Sequence, residues 1–397
     1  MNRSVRWRAL LAAAPLLAGA AACQGGGDGK AAAPKEVSVY EKPLVQQFSA
    51  ALLATSKSGS SRFVSSLEYT THSGKAVDTT SGSQDFAHRT AQADRTVKVP
   101  HAFPAKDAEL IGASTRETFA VDGQDVLYRT RNDGWLRYRS SAAHTFSEAS
   151  ADVFAHAGKS APYGGTLADV VRYTIPRHQP QRLDGGARRY REDIAPALAV
   201  SLLPASMSTL VPGAAGTVTV TADFDARGRL THASADLAPF LKVLHRDHRL
   251  SKVTSLRAEY TLSRLGEKVP YTIASGKHVA IADKVLADVQ SLKRGRCATN
   301  DTGLDDSMLV RPVDCGDRHD LRVFGQVSVH KSSKTTLTHD DGFALARQQC
   351  DQKFQSAPTA WTREARPRGT YDVAGSATVS SGEGTSIDGD YTCYLTS

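Results

Sequence analysis

Five cysteines carry the most reactive side chains of this sequence, and they fall into two groups. Cys23 stands alone near the N-terminus, whereas Cys297, Cys315, Cys350 and Cys393 all lie beyond residue 296 of the 397. A thiol can accept a covalent group, bind a metal ion or form half of a disulfide. The position of each group along the chain indicates which of these reactions to expect.

The residues before Cys23 have the layout of a secretory signal peptide. Three arginines among the first eight residues precede an apolar run at 9–18, and small residues lead into the cysteine. The apolar run is too short to span a bilayer, and small residues are typical of a cleavage site. We therefore predict a signal peptide at 1–22 and a location outside the cytoplasm.

The stretch Ala20–Cys23 resembles the lipobox of bacterial lipoproteins. The resemblance implies diacylglyceryl transfer to the Cys23 sulfur, cleavage before it, and acylation of the new amine with a fatty acid such as palmitate. The chain would then be anchored to the outer face of the cell membrane. Residues 23–40, which are rich in Gly, Ala and Lys, are predicted to be a lipidated flexible tether. The alternative is an ordinary secretory signal with an incidental cysteine.

The four later cysteines predict disulfides. An even number of thiols in an oxidising compartment favours two bridges, for which three pairings exist. Residues 24–296 contain no cysteine, so a domain boundary is expected near 293. Zinc is the alternative, with Cys315 and His319 as ligands, but there is no Cys-x-x-Cys pair.

Length and composition favour a secreted globular protein of two domains. The chain has 40% apolar and 23% charged residues, and its formal net charge is +8. This balance mildly favours anionic surfaces such as lipid headgroups. The basic clusters at 188–191 and 293–296 are predicted to be solvated faces, and no nucleic-acid partner is expected.

Hydrophobic periodicity predicts an α+β architecture, in which an antiparallel sheet carries helices on one face. Short turns between consecutive strands indicate meanders. Helices are expected at 43–56 and 239–250, with short helices between 140 and 174 and a further helix at 281–292. Strands are expected at 63–72, 91–99, 115–121, 126–131, 135–138, 187–192, 216–224, 230–237 and 253–265.

Several of these elements resemble the mycobacterial LppX/LprG lipoproteins. The resemblance rests on the hairpin at Asp133–Tyr138, the strand Ala222–Asp225 and the ending Leu265–Pro270. It implies a LolA-like half-barrel domain at 41–292, in which a curved sheet and covering helices enclose an apolar cavity for acyl chains. The cover is expected at 146–171. No lipid-binding residue is assigned.

The C-terminal residues 293–397 resemble the septum-formation domain of actinobacterial membrane proteins. The resemblance rests on Gly295–Cys297, Val313–Asp320, Val323–Val327 and Tyr391–Tyr394. It implies a small disulfide-stapled α+β domain with Cys297–Cys315 and Cys350–Cys393 bridges. It also implies interaction with an envelope protein partner.

Motifs for catalysis are absent from the sequence. There is no Gly-x-Ser-x-Gly elbow, no His-Glu-x-x-His and no phosphate-binding loop. We therefore predict a protein that is not an enzyme and uses no cofactor or metal. The predicted function is a cell-surface lipoprotein that binds or carries an acylated lipid. The alternative is an envelope or septum interaction protein whose first domain is a closed scaffold.

Overall fold

A computed structural model describes the chain at residues 37–101, 103–112, 116–131, 134–139, 166–211, 213–269, 279–302, 309–367, 369–381 and 384–397. The predicted signal peptide, Cys23 and almost all of the predicted tether lie outside the described residues. So do residues 132–133 of the predicted hairpin, and most of the predicted cover at 146–171.

Two meanders within the described residues join into one curved, open sheet. Its strand order is β12-β6-β5-β4-β3-β2-β1-β11-β10-β9-β8-β7. Neighbouring strands are antiparallel, apart from the parallel pair β6 and β12. The strands are β1 Ser60–Thr71, β2 Gly74–Asp85, β3 Thr90–Lys98, β4 Arg116–Asp122, β5 Asp125–Arg129, β6 Trp135–Tyr138, β7 Gln181–Arg182, β8 Arg188–Ile194, β9 Val218–Phe224, β10 Leu230–Asp236, β11 Val253–Ser263 and β12 Val279–Ile281.

Side chains alternate between the two faces of this sheet, as the period of two along a strand requires. We call the face that carries Phe63 and Ala93 the inner face, and the face that carries Arg62, Val64 and Thr96 the outer face. Phe63 and Ala93 are buried, whereas Arg62 and Val64 are exposed. The predicted α+β class with one large antiparallel sheet is confirmed.

Helices cover the inner face over β10 and β11. The helices are α1 Leu44–Ser56, α2 Ala105–Ile111, α3 Leu167–Tyr173, α4 Ala205–Ser208, α5 Ala238–Arg246, α6 Ala282–Val285, α7 His339–Gln355 and α8 Thr359–Thr362. Short 3-10 turns lie at Val39–Glu41, Asp184–Gly186, Pro196–Leu198, Val200–Leu202 and Val289–Ser291. Since α1 and α3 also contact each other, they form a continuous layer on this part of the sheet.

An aromatic cluster fixes α1 on the sheet. The Phe48 ring lies 5.0 Å from the Tyr190 ring and 5.5 Å from the Phe224 ring, measured between centroids. The Tyr190 hydroxyl donates to the buried side-chain oxygen of Gln47. Burial raises the pKa of Tyr190 to about 12, so the hydroxyl keeps its proton at neutral pH.

A second sheet of six strands lies in the C-terminal part of the described chain. Its order is β13-β15-β14-β16-β18-β17. The strands are β13 Ala287–Asp288, β14 Cys297–Thr299, β15 Leu309–Val313, β16 Leu321–Ser333, β17 Asp372–Ser381 and β18 Thr385–Thr396. Helix α7 packs on β16, β17 and β18, and a box of hydrogen bonds between Thr338 and Asp341 caps its start.

The prediction of a helix at 281–292 is wrong. Helix α6 ends at Val285, Ala287 pairs with Val310, and Val289–Ser291 forms a 3-10 turn. The apolar residues at helical spacing pack in two different cores. Val285 packs against the cluster under the large sheet, whereas Val289 and Leu292 pack under the second sheet. A contact with a distant strand therefore overrides the local pattern.

The described residues from Ser38 onward form a single compact unit. The second sheet takes β13 from upstream of the predicted boundary at 293, and hydrogen bonds link the two sheets. The Arg131 backbone N–H donates to Asp301 Oδ1 at 2.6 Å, and the Tyr138 hydroxyl donates to the Thr302 carbonyl at 3.1 Å. Division into two domains stays a prediction. Among the described residues, no helix has the length and apolar character needed to cross a membrane.

Candidate functional site

The inner face of β1 to β6 carries a continuous row of apolar residues. Strand registers align Phe63, Gly82, Ala93, Phe119, Tyr128 and Leu136 across the six strands. A Cβ atom on the central glycine of this row would lie 2.1 Å from the Gln92 carbonyl oxygen. Glycine is therefore required where β2 approaches β3 this closely.

Three aromatic rings form the largest part of this apolar surface. The rings of Phe119 and Tyr128 lie 5.8 Å apart, and those of Tyr128 and Tyr138 meet edge to face at 5.7 Å. All three side chains are at most 2% exposed. Burial raises the pKa of Tyr138, whose hydroxyl donates to Thr302. These rings therefore form a rigid aromatic part of the core on the inner face.

An ion cluster interrupts the apolar inner face on β2, β3 and β4. We define it as Asp78, Arg95 and Glu117, which the strand registers place on the same face as Ala93. Arg95 donates through Nε and Nη2 to the Asp78 carboxylate at 3.1 and 2.8 Å, and through Nη1 to Glu117 at 3.2 Å. The side chain of Arg95 is 21% exposed, that of Asp78 13% and that of Glu117 8%. The cluster therefore provides charged, directional hydrogen-bonding groups in a largely apolar surface.

Tyr69 lies on the same face next to the ion cluster. It is completely buried, and its hydroxyl lies 3.7 Å from the Met207 sulfur. Burial, followed by the negative charge of Asp78, raises the pKa of Tyr69 well above its usual value. The phenol therefore stays neutral and adds a hydrogen-bonding group beside the charges.

The predicted cover falls partly within the described residues. Leu167, Val170 and Val171 lie on α3, which is buried against β10, β11 and α1. The Thr166 side chain caps this helix by accepting from the Ala168 backbone N–H at 3.2 Å. Residues 146–165 of the cover lie outside the described residues. The described end of the cover is thus held in the core.

The cysteines of the C-terminal part form two disulfides in the structure. Cys297 pairs with Cys315, and Cys350 on α7 pairs with Cys393 on β18. These are the pairs implied by the septum-formation resemblance, whereas Cys23 lies outside the described residues. Within the described part of the chain, no group of three His, Cys, Asp or Glu side chains is placed to hold a metal ion.

His319 follows Cys315 by four residues and holds a turn. Its Nδ1 donates to the Asp317 carbonyl at 2.9 Å, and its Nε2 lies 3.4 Å from Glu364. The same carboxylate is 2.9 Å from the Arg322 Nε, and this guanidinium lies over the Trp361 ring. These contacts give His319 a structural role in packing α8 against β16.

Sequence patterns alone miss the ion cluster. Asp78, Arg95 and Glu117 are ordinary polar residues in strands, and nothing in their spacing brings them together. One signal is present, because Arg95 alternates with Ala93 and Val97 and so falls on the apolar side of β3. A charged residue on the buried side of a strand needs a partner, and only the strand registers identify it.

Comparisons with known proteins find little. No family model matches the chain, and no curated protein matches it. Among solved structures, the crystal structure of the lipoprotein LppX from Mycobacterium tuberculosis is similar, with 16% sequence identity and a TM-score of 0.30. The match covers 57% of this chain and 97% of that chain. The assignment of the fold above rests on the strand order of this chain, and not on this distant likeness.

Proposed function

We propose that this chain is a cell-surface lipoprotein that binds an acylated lipid on the inner face of its large sheet. A lipidated Cys23 anchors it to the outer face of the membrane, and no catalytic step is involved. The observation that supports the binding role is the apolar row across β1 to β6 with an ion cluster at its side. An amphiphilic ligand has the matching division into apolar and polar parts.

The chemistry of the inner face suits such a ligand. Each methylene group that leaves water contributes about 0.8 kcal/mol, so one acyl chain on the aromatic surface gains several kcal/mol. The polar group of the lipid would then accept from Arg95 or donate to the carboxylates of the ion cluster. Charge-assisted hydrogen bonds of this kind orient a ligand as well as hold it.

We expect Ala93→Phe to block this site without unfolding the protein. Ala93 lies on the inner face between Gly82 and Phe119, so a ring there occupies the space of an acyl chain. Affinity for a dansyl-labelled fatty acid should fall at least about tenfold. Ala93 is 2% exposed in the core cluster, so the proposal requires the segments packed on it to move aside for a ligand. In that case the free energy of unfolding should change by less than about 1 kcal/mol.

Thr96→Phe is the matched control for this experiment, because it adds the same ring to the outer face of the same strand. Fluorescence titration and urea unfolding are measured on residues 23–397 carrying Cys23→Ala. An Ala93→Phe chain that loses about 1–3 kcal/mol of stability would indicate overpacking of a solid core. That result, with no binding of the fatty acid by the parent chain, favours the closed-scaffold alternative.

The anchoring part of the proposal has its own test. Replacement of Cys23 by alanine removes the sulfur that accepts the diacylglyceryl group, so the chain should leave the membrane fraction or accumulate as its precursor. Acyl chains together with a second signal hold a protein stably at a bilayer. Detergent partitioning and the mass of the N-terminal peptide are measured. Partitioning of Cys23→Ala like the wild type contradicts lipidation.

We infer an interaction role for residues 293–397 from the septum-formation resemblance. Crosslinking of the complete anchored chain in cells tests it, with a photoreactive residue placed at the exposed Phe343 on α7 or, as a comparison, at the exposed Leu53 on α1. An envelope protein captured only from position 343 supports the role. Equal capture from both positions, or none from position 343, contradicts it.

A further inference from the structure

The outer face carries a polar groove over β8, β9, β10 and β11. Its volume is about 500 Å³, and nine described side chains line it. They comprise three arginines, two histidines, two glutamines, one threonine and one serine, without a carboxylate. The groove lies on the opposite side of the sheet from the proposed acyl site, so its role is independent of that site.

Strand registers build the floor of the groove. Arg191 on β8 pairs with Thr221 on β9, which in turn pairs with Ser234 on β10. All three side chains therefore point to the outer face in one row, while the neighbouring Tyr190 and Ala222 are buried on the inner face. The floor is thus a pair of hydroxyl groups with the Arg191 guanidinium at one end. At the other end the row continues to Glu259 on β11, which pairs in register with Ser234.

The arginines of the groove differ in their ion pairs. Arg189 donates to both oxygens of Asp223 at 2.7 Å, which raises its pKa, and the Arg257 Nε lies 3.1 Å from Glu259. Arg191 has no ion pair with any described residue. The two acidic residues that follow Arg191 on β8 have other partners. Glu192 is buried and accepts from the backbone N–H groups of Arg177 and His178 at 2.9 and 3.0 Å. Asp193 accepts from Thr219 at 2.6 Å. The groove therefore holds one uncompensated positive charge.

The hydroxyl groups of the floor also lack partners. Neither Thr221 nor Ser234 makes a side-chain hydrogen bond within the described chain, although Ser234 is only 6% exposed. A largely buried hydroxyl favours a partner that can both donate and accept. The side-chain amides of Gln179 and Gln181 at the wall of the groove offer further donors and acceptors.

We propose that this groove binds a phosphate group carried on a polyol. A guanidinium presents two parallel N–H donors that match two phosphate oxygens, so Arg191 would hold the phosphate. The floor hydroxyls and the glutamine amides would bond the hydroxyl groups of the polyol. Arg189 and Arg257 add positive potential while their own carboxylate partners keep them in place.

The same chemistry has two sources, the headgroup of an anionic lipid and a soluble polyol phosphate. The probes are therefore glycerol phosphate and vesicles of phosphatidylglycerol in phosphatidylcholine. Glycerol and pure phosphatidylcholine vesicles are the uncharged and zwitterionic controls. The protein is residues 23–397 with Cys23→Ala, so that no lipid anchor binds the vesicles.

Isothermal titration and vesicle flotation should show binding of a phosphate probe and none of the controls. Arg191→Gln should weaken it about tenfold, since it removes a hydrogen bond between charged groups. Arg62→Gln removes an exposed arginine from the same face of β1 and should leave affinity unchanged. Binding should also weaken as salt increases.

Binding of both probes, or of either one alone, supports the proposal and identifies the source of the phosphate. Failure of both probes overturns it. So does an equal affinity of the Arg191→Gln and wild-type chains, or an equal loss in Arg62→Gln. Binding of the dansyl-labelled fatty acid by Arg191→Gln should stay unchanged, which separates this groove from the inner face.

Discussion

Replacing Cys350 and Cys393 together by alanine is expected to lower the free energy of unfolding by about 4 kcal/mol. The bridge joins α7 to β18 across 43 residues, and both cysteines are fully buried. A cross-link of this length restricts the unfolded chain strongly, and the loss of its sulfur packing adds to the effect. Urea unfolding followed by near-ultraviolet circular dichroism measures the change.

The other disulfide provides the comparison for this experiment. Cys297 and Cys315 are separated by 18 residues, so their double replacement should cost about 3 kcal/mol. We therefore predict that loss of the Cys350–Cys393 bridge lowers the free energy of unfolding more than loss of the Cys297–Cys315 bridge. Equal stability of the Cys350/Cys393 variant and the wild type would mean that this bridge does not constrain the chain in solution, and non-reducing peptide mapping would then show free thiols.

The second large effect concerns the ion cluster. Arg95→Met leaves Asp78 and Glu117 facing each other in a largely buried position without a cation. Removal of one partner from such a cluster typically costs at least about 3 kcal/mol, because the remaining charges lose their compensation. Arg95→Lys keeps the charge but not the forked geometry and should give an intermediate loss.

Lys75→Met is the matched control, because Lys75 pairs with Glu68 at 2.6 Å on the outer face with a side chain that is 47% exposed. An exposed pair contributes less than about 1 kcal/mol. The prediction is tested by measuring the free energy of unfolding in urea for Arg95→Met, Arg95→Lys and Lys75→Met. A loss in Arg95→Met no larger than that in Lys75→Met contradicts the assignment of a buried, mutually dependent cluster.

Local sequence patterns predict much of this fold. The helix at 43–56 and the strands around Phe63, Ala93 and Tyr260 follow from periods of 3.6 and two residues, and the structure contains α1, β1, β3 and β11 at these places. Antiparallel order between consecutive strands follows from the short turns. These elements are determined by interactions within a few residues, which a pattern can capture.

Features that depend on distant residues do not follow from such patterns. Pairing of β1 with β11, which joins the two meanders, brings together residues about 200 positions apart. The same kind of contact turns part of the predicted helix at 281–292 into β13. The ion cluster also appears only when the registers of β2, β3 and β4 are known.

The outer groove can be predicted only in part from the sequence. The basic cluster at 188–191 suggests a solvated face, and alternation along a strand already places Arg189 and Arg191 on one side. Recognition of the groove requires Thr221, Ser234 and Arg257 from three other strands. Charge and spacing therefore predict a basic surface, and the sheet defines which hydroxyl groups it surrounds.

Mass spectrometry of lipids that copurify with residues 23–397, produced without a tag and with Cys23→Ala, tests the central proposal most directly. We expect an acylated lipid in an amount comparable to the protein, and its loss from the Ala93→Phe chain but not from Thr96→Phe. Extraction of no lipid from the parent chain, or of the same amount from Ala93→Phe, contradicts binding on the inner face of β1 to β6.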